Sequence, residues 1–164
     1  MLNKITAKLI NEQVNKEMYS AYLYLDMANY YHHEGLDGFG HWFNLQAKEE
    51  MEHAQKFMQY LLDNGEKIAL LPIGAPDKTY GKYDQPLAAA LEHEKYVTSL
   101  IDNIYTEAAQ VKEYKTAEFL NWFVKEQVEE EKNAEELVTK YNLYAKDSQG
   151  LYLLNKELGK REGE

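Results

Sequence analysis

Every proline in this chain lies in one segment. Pro72, Pro76 and Pro86 sit in or at the edge of NGEKIALLPIGAPDKTYGKYDQP (64–86), together with Gly65, Gly74 and Gly81. Proline removes a backbone donor and clashes with the preceding helical turn, and glycine weakens helices. The stretches on either side hold no proline, so each can run as long helix. Antiparallel neighbours need only about 2–8 connecting residues, far fewer than this segment offers. An extended chain spans about 3.3 Å per residue. The segment can therefore run the length of a bundle and start the next helix at the opposite end.

Apolar residues recur at spacings of three and four on both sides of it, the period of a one-faced helix. The first half predicts helices over about 4–32 (Ile5, Leu9, Val14, Ala21, Leu25, Ala28) and 38–63, broken by HHEGLDGFG (32–40). The second half predicts helices over about 86–110 (Leu87, Leu91, Val97, Ile101, Ile104, Ala108) and 116–143 (Leu120, Phe123, Leu137, Val138, Tyr141), broken near VKEYKT (111–116). The polar turn AKDSQG (145–150) leads to a short fifth helix over about 148–158. Helices of this length are about 40 Å long at 1.5 Å per residue. They are too polar to span a membrane, and they suit a four-helix bundle. The expectation is a single all-α domain over 1–164. Its two hairpins are joined by one crossover (64–85), in which LL and TYGKY pack as an ordered strap.

The faces that should meet in the core carry misplaced polarity. On the first helix Glu17 shares a stripe with Val14, Ala21 and Tyr24. On the second, Glu50 and His53 lie among Phe43, Ala47, Ala54, Phe57 and Leu61. On the third, Glu94 lies between Leu91 and Val97; on the fourth, Gln127 and Glu130 lie between Phe123 and Leu137. The levels match as well. Glu17 is about fifteen residues before the first turn and Glu50 about fourteen after it. Glu94 is about sixteen residues before the second break, and Gln127 and Glu130 some thirteen to sixteen after it. Packing the two hairpins together brings all six residues to one height.

Converging carboxylates in an apolar core repel one another and lose hydration. A multivalent cation supplies the missing charge. Glu50-x-x-His53 presents an oxygen and a nitrogen on one helical face. Glutamates from two helices combined with Glu-x-x-His motifs form the dinuclear carboxylate pattern of helical bundles. Oxygen and imidazole donors without sulfur suit iron or manganese, whereas zinc usually recruits more histidine or cysteine. The chain has no cysteine, which excludes disulfides, thiolate zinc and iron–sulfur clusters and suits a cytoplasmic protein. A formal net charge of −10 argues against nucleic acid and anionic membranes as partners and favours cations. MLNKITAKLI does not read as a signal peptide. His32, His33, His41 and His93 read as surface residues, and Met51 as a packing or surface residue.

Together, NEQVNKEMYSAYLYL, KEEMEHAQKF, LEHE, NWFVKEQVEEEK and the GLYLLNKEL tail resemble the bacterial non-haem ferritins over nearly the whole chain. The resemblance implies a ferritin-like bundle that oxidises Fe(II) to Fe(III) with dioxygen or peroxide. It implies storage of the product as a ferric oxy-hydroxide mineral inside a homo-oligomeric shell of 24 subunits. By the same resemblance, Glu17, Glu50 and His53 hold a first iron. Glu50 bridges to a second iron held with Glu94 and Glu130, and Gln127 lies close by. A third iron site matches Glu49, Glu126, Glu129 and Glu130, and Tyr24 matches a tyrosine that supplies an electron during oxygen reduction. Haem-binding bacterioferritins carry a second Glu-x-x-His on the fourth helix. Here that place reads Gln127-Val-Glu-Glu130, so no haem is expected, with Met51 the only residue to keep haem in view. A non-storing di-iron oxidase or peroxidase is the neighbouring alternative. A metal-free helical scaffold is the alternative of a different class.

Overall fold

The computed structural model describes residues 1–163. Among these, five helices follow one another: α1 (Lys4–His33), α2 (Asp37–Asp63), α3 (Gln85–Gln110), α4 (Tyr114–Tyr144) and α5 (Ser148–Leu158). The first four form a bundle. α1 packs along α2 and α3 along α4, α1 meets α3 between the two hairpins, and α5 closes one end against α2 and α4. The all-α bundle with one long crossover and a short C-terminal helix is the class predicted above.

Three helix ends use the same device. The amide of Leu36 reaches Tyr31 O at 2.8 Å, that of Glu66 reaches Leu61 O at 2.9 Å, and that of Glu113 reaches Ala108 O at 2.8 Å. Each bond closes over a residue in the left-handed region: Gly35 (φ 81°), Gly65 (φ 74°) and Lys112 (φ 55°). Glycine adopts that conformation freely, and a lysine there carries strain. Asn3 caps α1 through Ile5 N at 2.9 Å, and Asp147 caps α5 through Gly150 N at 2.7 Å.

No side chain next to α2 in sequence caps its start. The cap comes from α5: Asn155 Oδ1 accepts from Gly38 N at 2.8 Å and from Phe39 N at 3.2 Å. Gly38 permits this approach, since a Cβ there would overlap the Asn155 carbonyl.

The crossover is held at several points along the bundle. Asn11 exchanges two 2.9 Å hydrogen bonds with the Ala69 backbone, Asn15 donates to Pro72 O at 3.2 Å, and Tyr31 donates to Tyr83 O at 2.6 Å. Tyr80 and Tyr83 pack on the core, as expected of TYGKY, but Leu70 and Leu71 are exposed. Local backbone pairing with asparagines, rather than burial of the leucines, fixes this stretch.

The apolar core is split in two. One cluster contains Tyr24, Met27, Tyr31, Phe39, Phe43, Leu87, Leu137 and Leu154. The other contains Ile10, Val14, Phe57, Leu61, Val97, Ile101, Ile104, Leu120 and Phe123. Along α1 the break falls between Val14 and Leu23, and along α2 between Ala47 and Phe57. A polar layer fills the gap.

Candidate metal centre

The polar layer is buried. Glu17, Glu50, His53, Glu94, Gln127 and Glu130 are each at most 4 % exposed. Three sets of side chains each bring ligand atoms within 4.8 Å of one another: Glu17–Glu50–His53, Glu50–Glu94–Glu130 and His53–Glu126–Glu130. Glu50 belongs to the first two sets, His53 to the first and third, and Glu130 to the second and third. Adjacent positions with shared ligands are the geometry that two ions bridged by a carboxylate require.

Among the described residues, no lysine or arginine is buried within the layer to compensate these charges. Burial pushes the Glu17 carboxyl up to about 7, with Glu94 adding repulsion, while Gln13 and a proton shared with Glu50 act the other way. Burial also raises Glu50, Glu94 and Glu130, and neighbouring carboxylates reinforce the rise. Glu17 Oε2 is buried without a hydrogen-bond donor of its own. A proton or a cation would satisfy such an atom. The donor set of carboxylates and one imidazole fits iron on this ground.

His53 faces two ways. Its Nδ1 lies 3.2 Å from Glu50 Oε2, and its Nε2 lies 3.8 Å from Glu126 Oε1. Burial lowers its pKa to about 4, so the ring is neutral near pH 7 and one nitrogen carries a lone pair. If Nδ1 ligates beside Glu50, the proton sits on Nε2, the nitrogen that faces Glu126 Oε1 at 3.8 Å. A carboxylate that closes to hydrogen-bond distance on that nitrogen would fix the tautomer and orientation of a ligating histidine.

Second-layer donors hold the carboxylates. Gln13 Nε2 donates to Glu17 Oε1 at 3.0 Å. Gln46 Nε2 donates to Glu130 Oε2 at 2.5 Å and to Glu50 Oε1 at 3.4 Å. Gln127 Nε2 donates to Glu94 Oε2 at 3.1 Å and to Glu94 O at 3.2 Å, so its amide holds Glu94 with its NH₂ side. Tyr24 donates a short hydrogen bond to Glu94, and burial beside Glu94 and Glu50 raises its phenol pKa.

The remaining expected residues are placed differently. Glu126 lies beside His53, whereas Glu129 is exposed and Glu49 is paired with Arg161 at 3.1 Å. His93, expected at the surface, is instead largely enclosed: its Nε2 lies 2.7 Å from Ser20 Oγ, its ring meets Tyr24 edge-on, and burial lowers its pKa to about 4. It directly precedes Glu94, and the turn of α3 that buries Glu94 carries it against α1. His41 is half-buried against the Arg161 carbonyl, while His32 and His33 are exposed. Met51 is 38 % exposed. Sequence reading missed Gln13 and Gln46. Each precedes its glutamate by four residues, Gln13 before Glu17 and Gln46 before Glu50, and that repeated spacing was the available signal.

Comparison with known proteins gives one consistent result. A ferritin-like domain model matches residues 7–144. A bacterial non-heme ferritin of Staphylococcus aureus (strain USA300) is 38 % identical over 161 residues, covering 98 % of this chain and 97 % of that one. A probable bacterial non-heme ferritin-like protein of Haemophilus influenzae is 36 % identical over 159 residues, covering 97 % and 96 %. Among solved structures, an Archaeoglobus fulgidus ferritin engineered to a closed form superposes with a TM-score of 0.97 at 36 % identity, covering all of both chains. The open-pore ferritin of the same archaeon superposes with a TM-score of 0.96 at 37 % identity, covering 98 % of each chain.

Proposed function

The chain belongs to the ferritin-like domain family, and from that premise we propose that it is an iron-storage ferroxidase. In this reading Fe(II) is the substrate. It is oxidised by dioxygen or peroxide at an intrasubunit pair of positions and stored as a ferric oxy-hydroxide mineral. The container is a homo-oligomeric shell, taken as 24 subunits, in the cytoplasm.

The observation that carries the reading is the sharing of Glu50 between Glu17–Glu50–His53 and Glu50–Glu94–Glu130. Two Fe(II) ions held as neighbours can deliver two electrons together to one oxidant. The chain's residues then have distinct tasks. Glu17 and His53 hold the first ion, Glu94 and Glu130 the second, and Glu50 lies between. Carboxylates favour the ferric product over the ferrous substrate, because the higher charge gains more from anionic ligands. Glu126 faces His53 Nε2 and, with Glu130, lines a third position. Glu49, whose Oε2 is paired with Arg161, is a further acid for that position. Gln127 and Tyr24 orient Glu94, and Tyr24 is the nearby phenol able to give an electron to the oxidant while its proton passes to Glu94.

The test is iron per chain after aerobic Fe(II) loading, measured on the protein peak from a sizing column. Storage predicts far more than about three irons per chain, co-eluting with a large assembly. About two or three irons per chain indicates a di-iron oxidase without storage. No iron assigns the chain to the metal-free scaffold class.

A further inference from the structure

The segment that follows α5 returns to the metal centre. Arg161 lays its guanidinium over the Trp42 ring at 4.3 Å and donates from Nη1 to Trp42 O at 2.9 Å. Its Nη2 donates to Gln46 Oε1 at 3.0 Å and to Glu49 Oε2 at 3.1 Å. The Arg161 carbonyl is tied to His41 Nε2 at 2.8 Å. One side chain thus reads residues 42, 46 and 49, a single stripe of α2 whose next member is His53. The Arg161 and Glu49 side chains are only 17 % and 11 % exposed, so this is no loose surface pair.

The direction of these hydrogen bonds is chemically forced. A guanidinium only donates and stays protonated. The oxygen of the Gln46 amide must therefore face Arg161, and its NH₂ must face Glu130 and Glu50. Turned over, the amide would set its oxygen against two carboxylates and its NH₂ against a cation. Arg161 also neutralises Glu49, one of the acids nearest the third position. We propose, on the reading of the site given above, that Arg161 is a positioning residue of the metal centre. It locks the Gln46 amide so that Gln46 fixes the Glu130 carboxylate, and it holds Glu49 out of the ligand set.

Lysine cannot substitute. It carries the charge but lacks the planar fork that serves three acceptors while stacking on an indole. The experiment is anaerobic titration of the assembled protein with Co(II), reading affinity, stoichiometry and the visible ligand-field spectrum. Arg161→Lys and Arg161→Met are expected to bind the ion at the Glu130 position about 10–100-fold more weakly, the usual effect of removing an outer partner of a metal ligand, and with an altered spectrum. Gln46→Met is expected to show the same loss, and the Arg161→Met/Gln46→Met double variant no more than either alone. Asn155→Ala loosens the docking of α5 without touching Arg161 and is expected to leave the isotherm unchanged. Glu49→Gln is expected to keep the number of ions bound.

An unchanged isotherm in both Arg161 variants would overturn the inference. So would losses that simply add in the double variant, or an equal loss in Asn155→Ala, which would make the effect one of tail docking. Loss of one ion in Glu49→Gln would restore Glu49 as a ligand. A parent protein that takes up no cobalt would overturn the reading of the site itself, a result distinct from all of these.

Discussion

Glu17→Gln tests the electrostatics of the layer, because its effect should change sign with metal. Glu17 is 1 % exposed, and burial raises its carboxyl from 4.5 to about 7. A raised pKa in the folded state means that the folded chain holds the proton more tightly than the unfolded one. The associated stability is complete below about pH 4.5 and is lost as the pH rises through about 7. At about 1.4 kcal/mol per pH unit, the ionised group costs the metal-free fold about 3 kcal/mol. Glutamine keeps the shape and removes the charge. In EDTA at pH 8, Glu17→Gln should therefore melt above the parent, by about 6–12 °C for a domain of this size. At pH 5, where the parent Glu17 is itself largely protonated, the gap should nearly close. With saturating Co(II) the order should reverse, since the variant has lost an anionic ligand. Scanning calorimetry or tyrosine fluorescence under the four conditions checks this. A variant that melts below the parent in EDTA at pH 8 would refute the claim that uncompensated charge dominates the metal-free layer.

Other substitutions separate neighbouring tasks. His53→Ala removes the one imidazole of the proposed pair and should slow the initial phase of Fe(II) oxidation at least tenfold in stopped-flow absorbance; an unchanged rate argues against the site. Tyr24→Phe removes the hydrogen bond to Glu94 and the oxidisable phenol, so turnover should fall while Co(II) stoichiometry holds; equal rates assign Tyr24 to packing. Asn155→Ala strips the cap from the start of α2 and should cost about 1 kcal/mol, or about 2–4 °C in melting temperature. An unchanged melting point would show that water serves Gly38 N and Phe39 N equally well.

The bundle was legible because its signals are local and repeated. Confining every proline to one segment leaves little choice but two hairpins and a strap. The buried acids were legible for a related reason. Glutamate on an apolar stripe is anomalous at each helix, and the levels of the anomalies agree across hairpins. What escaped notice depends on long-range pairing. Asn155 serves amides 117 and 116 residues away, and Arg161 acts on residues 112–119 positions earlier. Neither has a periodic signature, since a polar residue near the end of a chain is ordinarily solvated. His93 was misread because a histidine one position from a buried glutamate falls at the margin of the stripe. Ser20 and the ring of Tyr24 on the facing helix draw it inward. Leu70 and Leu71 were misread the other way, as apolar residues expected to pack that the strap leaves in solvent.

The split core also has a kinetic consequence. Each hairpin can form from contacts across a short turn, but the polar layer closes only when residues far apart in sequence meet. Tyr24 and Glu94 are 70 positions apart, and Gln46 and Glu130 are 84 apart. Such contacts form late, because the chain must first lose the entropy of closing long loops. Like charges delay this seam further. An ion bound across it stabilises the finished fold and little of what precedes it, so it should act on the unfolding rate and hardly on the refolding rate. For single subunits studied below the assembly concentration, Co(II) should lower the unfolding limb of the chevron and leave the folding limb in place. The ion would then be a latch on a door that the chain has already closed.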